Sequence, residues 1–256
     1  MSDENYNSEL SGKKIFMLYP TASVINQVIV ELTQQEYEVY VAKDHGKLMR
    51  ILKKFNDSIV YVNIDEKMPE QEWEKWILTL HSTIPDVKVG VLASNPSEEL
   101  KDKYIKNLNI ACGFLPLKVD MSKSAEAIIE ILKLINVKGR RKYLRASTER
   151  EANASVNIPL GGDFVKGTVK DISVVGFSCT LENNPDLHKN ALQKDIQMRL
   201  QSMLLNVEAV VFGSRAEETG KTYVFIFTQR VDSDVRIKIR KYIQQNLQSK
   251  MDLEIN

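Results

Sequence analysis

Between positions 138 and 145 the chain carries Lys138, Arg140, Arg141, Lys142 and Arg145, five cations in eight residues. Arginine presents a planar, permanently charged fork. It can clasp phosphate oxygens or the Hoogsteen edge of guanine through paired hydrogen bonds, and it can stack on a flat purine. Further along comes Asp171-Ile172-Ser173-Val174-Val175-Gly176. Asp171 can accept from guanine N1–H and its amino group, and alternation along a strand puts the Ser173 hydroxyl on the same face. Gly176 lets the backbone turn or come close to a ligand. Each cluster also has a plain reading. Two arginines four apart are common on solvated helix faces, and Asp-x-Ser-x-x-Gly is also an ordinary turn. In this order, ahead of a β-rich segment, they suit an anionic ligand with flat bases.

This pairing resembles the PilZ domain, the bacterial cyclic di-GMP receptor module, whose signature is RxxxR followed by [D/N]xSxxG. The resemblance covers about residues 138–250, with both motifs complete. It implies that Arg141 and Arg145 grip guanine and phosphate while Asp171, Ser173 and Gly176 line the opposite wall. Arg140, just ahead of the first motif arginine, is associated in the family with a stacked pair of ligands, although it also fits a solvated charge. The ligand implied is cyclic di-GMP, with no further cofactor. The implied role is that of a receptor that changes its domain arrangement on binding and signals to a downstream protein partner.

Two kinds of element must position these residues. From Lys13 to Asn136, short apolar runs alternate with helical patterns. Ile15–Tyr19, Tyr37–Val41, Ile59–Ile64, Val87–Leu92 and Cys112–Leu115 read as buried strands. Between them Val24/Val28/Leu32, Leu48/Leu52/Phe55, Trp73/Trp76/Ile77/Leu80, Leu100/Tyr104/Leu108 and Ala125/Ile128/Ile129/Leu132/Ile135 recur three or four apart. These are the apolar stripes of five helices, the last capped by Ser122 or Ser124. Five βα units predict a doubly wound parallel sheet. Their number and order resemble a response-regulator receiver domain, but Leu18-Tyr19-Pro20-Thr21 lacks the carboxylates that would hold Mg²⁺ after the first strand. Asp65-Glu66-Lys67-Met68-Pro69 matches the D-x-x-M-P surroundings of a phosphoacceptor, with Asn63 competing for the strand-end position. Ser94 or Ala93 stands at the switch hydroxyl, and Lys118 at the phosphoryl-pairing lysine. The expectation is a receiver-like domain that is not phosphorylated; a phosphorylation-controlled adaptor using Asp65 is the alternative.

From Ala152 the period becomes two: Ile196/Met198/Leu200, Val207/Ala209/Val211 and Tyr223/Phe225/Phe227 each alternate with outward positions. Turns at Gly161-Gly162-Asp163 and Glu218–Lys221 complete the pattern of a six-stranded antiparallel barrel. Val235, Ile239, Tyr242, Ile243 and Leu247 share one face of a C-terminal helix that must be covered by the barrel or by a neighbouring domain. The chain therefore divides into a flexible tail (1–12), a receiver-like α/β domain (13–136), a junction carrying RxxxR (137–150, with Gly139 ending the preceding helix) and a PilZ-like barrel with its helix (151–256).

Composition narrows the function further. At 256 residues, 43% hydrophobic and 27% charged, the chain is a globular protein of two ordinary domains. A net charge of +1 gives no general attraction to nucleic acid, so an anion site must come from local clustering. A nucleic-acid-binding barrel is the less attractive reading, because exposed aromatics do not interleave with the basic residues. The start is acidic and polar, unlike a secretory signal, and no apolar run reaches membrane-spanning length, so a cytoplasmic protein is expected. Cys112 and Cys179 sit singly in apolar runs and read as buried thiols without metal-ligand spacing. His45, His81 and His188 are scattered, and no nucleophile–base pattern or phosphate loop stands out, so no catalysis is expected.

Overall fold

The computed structural model describes residues 12–117, 121–148, 151, 153–218 and 220–255. The chain forms two compact units. One runs to Lys142 and takes in the chain again from Leu247; the other is Tyr143–Asn246.

The first unit is built on β1 (Ile15–Leu18), β2 (Val39–Ala42), β3 (Ile59–Asn63), β4 (Lys88–Ala93) and β5 (Phe114–Pro116), all parallel, in the order β2-β1-β3-β4-β5. This is the doubly wound order with its switch point between β1 and β3. Helix α1 begins with a π-helical stretch, Val24–Ile29, and continues as Val30–Gln34. Helix α2 is His45–Lys54 and α3 is Glu70–Thr83; α4 is Glu98–Asp102 running into a π-helical Lys103–Asn107, and α5 is Met121–Leu134. Alternate residues of β1 serve opposite faces. Phe16 and Leu18 join Val60, Val62, Trp73, Ile77 and Tyr104 in one core layer. Ile15 and Met17 join Tyr61, Val24, Val28, Ala125 and Ile128 in the other. Continuous apolar runs are what a strand needs when helices cover both faces.

Two local details differ from expectation. Helix α5 ends at Leu134 and is closed off at Asn136 rather than Gly139: Asn136 takes a left-handed φ of 51°, and the Val137 N–H reaches back to the Leu132 carbonyl at 3.2 Å. Asparagine tolerates that conformation and closes the last turn by itself. Ser124 lies inside α5, where its hydroxyl donates to the Pro116 carbonyl at 3.1 Å, rather than capping the helix. Of the expected tail only Gly12 is described; it is buried, and the next N–H, of Lys13, donates to the Val137 carbonyl at 2.9 Å.

The second unit is a closed antiparallel barrel of β7 (Ala154–Leu160), β8 (Asp163–Ser173), β9 (Gly176–Leu181), β10 (Leu192–Leu200), β11 (Met203–Glu217) and β12 (Gly220–Phe227). The order is β8-β7-β10-β11-β12-β9, and β8–β9 pairing closes it; a two-residue strand, β6 (Ala146–Ser147), adds to β8. Gly161 and Gly162, with φ of 62° and 97°, make the tight β7–β8 turn. Tyr223, Phe225 and Phe227 point inward with Ile196, Met198, Val207 and Ala209, and Phe177 stacks on Phe225 at 4.9 Å between ring centroids.

Helix α6 (Ser233–Ile255) belongs to both units. In the barrel unit it buries Ile239, Tyr242 and Ile243. In the α/β unit Met251 enters the core layer containing Phe16, with Leu247 packed against it. There the Gln248 amide meets the outer edge of β2: its Oε1 accepts the Val41 N–H at 2.8 Å and its Nε2 donates to the Val41 carbonyl at 3.1 Å. One side chain thus stands in for the missing neighbour of an edge strand. Cys112 and Cys179, one in each unit, are free and buried.

Candidate functional site

The Asp171–Gly176 motif is a hairpin corner. Strands β8 and β9 meet with Ser173 opposite Gly176, Ile172 opposite Phe177 and Asp171 opposite Ser178, leaving Val174 and Val175 as the turn. The Ser173 hydroxyl is turned into that corner, donating to the Gly176 carbonyl at 3.2 Å and accepting the Val175 N–H at 3.4 Å. A Cβ at Gly176 would collide with the carbonyl oxygen of Phe225 on β12, so glycine is needed there for strand approach. The corner is also clasped from outside. The Arg236 guanidinium, in the first turns of α6, donates to the carbonyls of Val174 and Thr228, each at 2.8 Å.

With the corner rigid, Asp171 is presented on the outer wall of the barrel. Its side chain is 36% exposed; one carboxylate oxygen accepts the Ser178 hydroxyl, and the other lies 3.7 Å from Arg145 Nη1. That separation is an ion pair longer than a hydrogen bond, so Arg145 is held loosely and remains half exposed. Ser147 on β6 also faces Asp171 in register. On the far side of Ser178 lies Val224, and beyond Gly176 lies the exposed Ile226. The wall therefore offers a carboxylate and a guanidinium beside a strip of short apolar side chains.

Arg140 and Arg141 are exposed in the segment just before the barrel unit, and Arg141 makes no ion pair among the described residues. Arg145, Asp171, Ser173 and Gly176 lie together within the barrel. Ser178 and Arg236 were not foreseen. Ser178 was within reach of sequence reasoning, because a two-residue turn at Val174-Val175 puts it opposite Asp171. Arg236 had no local signal, since its bonds to Val174 span 62 residues.

In the α/β unit, Asn63 is fully buried at the end of β3, with Nδ2 donating to the Tyr19 carbonyl at 3.0 Å and Oδ1 accepting the Asp65 N–H at 3.2 Å. Asp65 lies two residues beyond the strand, exposed, and accepts the Ser94 N–H at 2.7 Å. Lys118 lies outside the described residues. Among the described residues there is no cluster of metal-ligating side chains and no helix long and apolar enough to cross a membrane.

Residues 139–245 match the family described as PilZ domain. A comparison with curated protein sequences found no match. Among solved structures, the PilZ domain with c-di-GMP of YcgR from Escherichia coli is 16% identical (TM-score 0.38), covering 45% of this chain and 96% of that one. The K. pneumonia MrkH–c-di-GMP complex is 20% identical (TM-score 0.39), covering 45% of this chain and 57% of that one. The signal receiver domain of an HD domain-containing protein from Pseudomonas fluorescens Pf-5 is 16% identical (TM-score 0.40), covering 49% of this chain and 98% of that one. Likeness at this level carries neither ligand nor role. The PilZ family match at residues 139–245 thus contains both motifs intact, and it follows a unit built on the parallel strand order β2-β1-β3-β4-β5.

Proposed function

We propose that this chain is a cyclic di-GMP receptor. The observation that carries the reading is that both signature motifs are complete inside the PilZ match, with Asp171 and Arg145 side by side on an accessible barrel wall. In this reading Arg141 and Arg145 take guanine and phosphate, with Arg140 as a further cation. Asp171 accepts from the guanine edge, and Ser173 and Gly176 hold the corner that presents it. Swapping the loose Arg145–Asp171 pair for ligand contacts costs little, because an exposed ion pair is worth little.

Titration calorimetry of the purified chain with cyclic di-GMP tests the reading and gives the stoichiometry; absence of binding in both low and moderate salt would end it. Binding orders the junction, 137–150, and changes the domain arrangement offered to a downstream protein partner. Solution scattering with and without ligand checks that second part, and identical profiles would remove it. The α/β unit acts in this scheme without phosphotransfer, since no carboxylate follows β1 and a buried amide, Asn63, ends β3. Incubation with a small phosphodonor and Mg²⁺ should leave the intact mass unchanged.

A further inference from the structure

We propose that the α/β unit holds a separate binding site, at the carboxyl ends of β1 and β2, for a small organic anion with an apolar or aromatic body. A cavity of about 270 Å³ opens there, lined by Tyr19, Pro20, Ile25, Val41, Lys43, Glu66 and Lys67. It lies beside the β1/β3 switch point, where open α/β sheets form their natural crevice. Its size is at the small end of ligand cavities, suited to a single ring with one charged group.

Three observations point to the ligand's chemistry. The first is charge. With Tyr19 and Pro20 following β1, no carboxylate is there to repel an anion, and the lining holds two lysines against one glutamate. Neither Lys43 nor Lys67 makes an ion pair among the described residues; Lys67 Nζ instead lies 5.7 Å from the centroid of the Tyr19 ring. The nearby carboxylate of Asp44 is engaged elsewhere, accepting the Lys47 N–H at 2.7 Å at the start of α2.

The second is shape. Tyr19, Ile25 and Val41 supply an apolar wall, and the Tyr19 ring is fixed from behind. Its hydroxyl lies 3.0 Å from His45 Nδ1 and its edge meets the buried Trp73 at 5.9 Å between centroids. Trp73 is in turn anchored by its indole N–H, which donates to the Glu66 carbonyl at 3.0 Å. The wall is therefore preorganised.

The third is strain. Among the described residues, the left-handed ones other than Gly, Asn and Asp are Tyr19, Glu36, Lys67 and Gln201, and two of these four line this cavity. Side chains rarely accept that conformation unless the surroundings impose it, and such residues gather at ligand sites. Here the strained backbones bring the Lys67 ammonium over the Tyr19 ring, leaving a cation at the mouth of an aromatic-walled cleft.

The experiment uses the full-length chain with phenyl phosphate, benzoate and inorganic phosphate as probes, followed by calorimetry and by amide chemical shifts. Phenyl phosphate or benzoate should bind saturably at one site, with shifts centred on Tyr19, Lys43 and Lys67. Inorganic phosphate should bind at least tenfold more weakly, because it lacks the body. The Lys43→Ala/Lys67→Ala variant should lose tenfold or more in affinity for the organic anion while binding cyclic di-GMP as the parent does. Three results would each overturn the proposal: no saturable binding of either organic anion, equal binding by the double variant, or inorganic phosphate matching phenyl phosphate. None of these outcomes bears on the PilZ site, whose failure would appear as lost cyclic di-GMP binding instead.

Discussion

Gly176 and Phe225 approach so closely across the β9–β12 pairing that the glycine's missing side chain is a condition of barrel closure. The last residue of the Asp-x-Ser-x-x-Gly motif is thus set by strand packing. Gly176→Ala should force β9 and β12 apart and cost about 1–3 kcal/mol, the range for overpacking a tight site. A urea titration would show it as a lower midpoint at unchanged slope. A midpoint equal to the parent's would mean that the strands yield freely.

Arg145 offers the opposite combination, a residue with much to do for a ligand and little for the fold. Its 3.7 Å pair with Asp171 is solvent-exposed, so Arg145→Ala should leave the melting temperature nearly unchanged. Cyclic di-GMP affinity should fall by about 1.5–3 kcal/mol, roughly ten- to 150-fold, as a charge-assisted contact is lost. Calorimetry beside a thermal melt separates the two effects. Unchanged affinity in both this variant and Arg141→Ala would remove the arginines from the site.

Arg236 tests whether the motif corner is held from outside. Its two bonds, to the carbonyls of Val174 and Thr228, tie the start of α6 to the β8–β9 turn. Arg236→Met keeps much of the length but loses both donors, and should destabilise the barrel by about 1.5–3 kcal/mol. Arg236→Lys should fall between, since one ammonium replaces the fork less well. Urea unfolding of the three chains gives the order, and a lysine variant no better than methionine would contradict the clasp.

The α/β half was readable because its helices cover both faces of the sheet. Ile15 to Leu18 can then be apolar throughout, and the helical stripes at Val24/Val28/Leu32 and Trp73/Ile77/Leu80 all face inward. The barrel was readable from Tyr223/Phe225/Phe227 because one face of each strand meets solvent. Local patterns do not carry contacts between distant segments. The Arg236 clasp and the Gln248–Val41 contact, 207 residues apart, have no periodic signature. Near a helix end, propensity misleads in a different way: Gly139 is the better terminator by type, but Asn136 comes first and tolerates the left-handed turn. The bond from the Ser173 hydroxyl to the Gly176 carbonyl closes a hairpin corner, a contact that strand alternation alone does not disclose.

Acid should reveal the charge cluster on β8 and β11. Hydrogen bonds from Lys170, first, and from Arg215 hold Glu217 at about 2, against an ordinary value of 4.5. A depressed carboxylate stabilises the fold in full above its ordinary value and loses that contribution as pH falls toward its folded value. The contribution is therefore lost between about pH 4.5 and 2. Glu217→Gln should flatten the stability profile in that window and leave its slope unchanged above it. Chemical unfolding across the window would show this, and parallel profiles for the two chains would mean the cluster is already broken in solution.

Gln248 makes the α/β unit depend on residues that follow the barrel in the chain. Its amide satisfies the outward N–H and carbonyl of Val41 together, and it is steadied by Asp252, whose Oδ1 accepts from Nε2 at 2.8 Å. Gln248→Ala would leave both edge groups to water. The cost should be about 1–2 kcal/mol, because each lost bond is partly replaced by solvation. The more specific consequence is local: the Val41 amide should exchange with solvent much faster, while the Val60 and Val62 amides, on the interior strand β3, keep their protection. Met251→Ala separates packing from hydrogen bonding, since it opens the core layer without touching the edge. It should lower global stability while Val41 stays protected relative to its neighbours. Hydrogen exchange on the two variants therefore gives opposite patterns if Gln248 is the edge's partner, and the same pattern if the helix end only adds apolar cover.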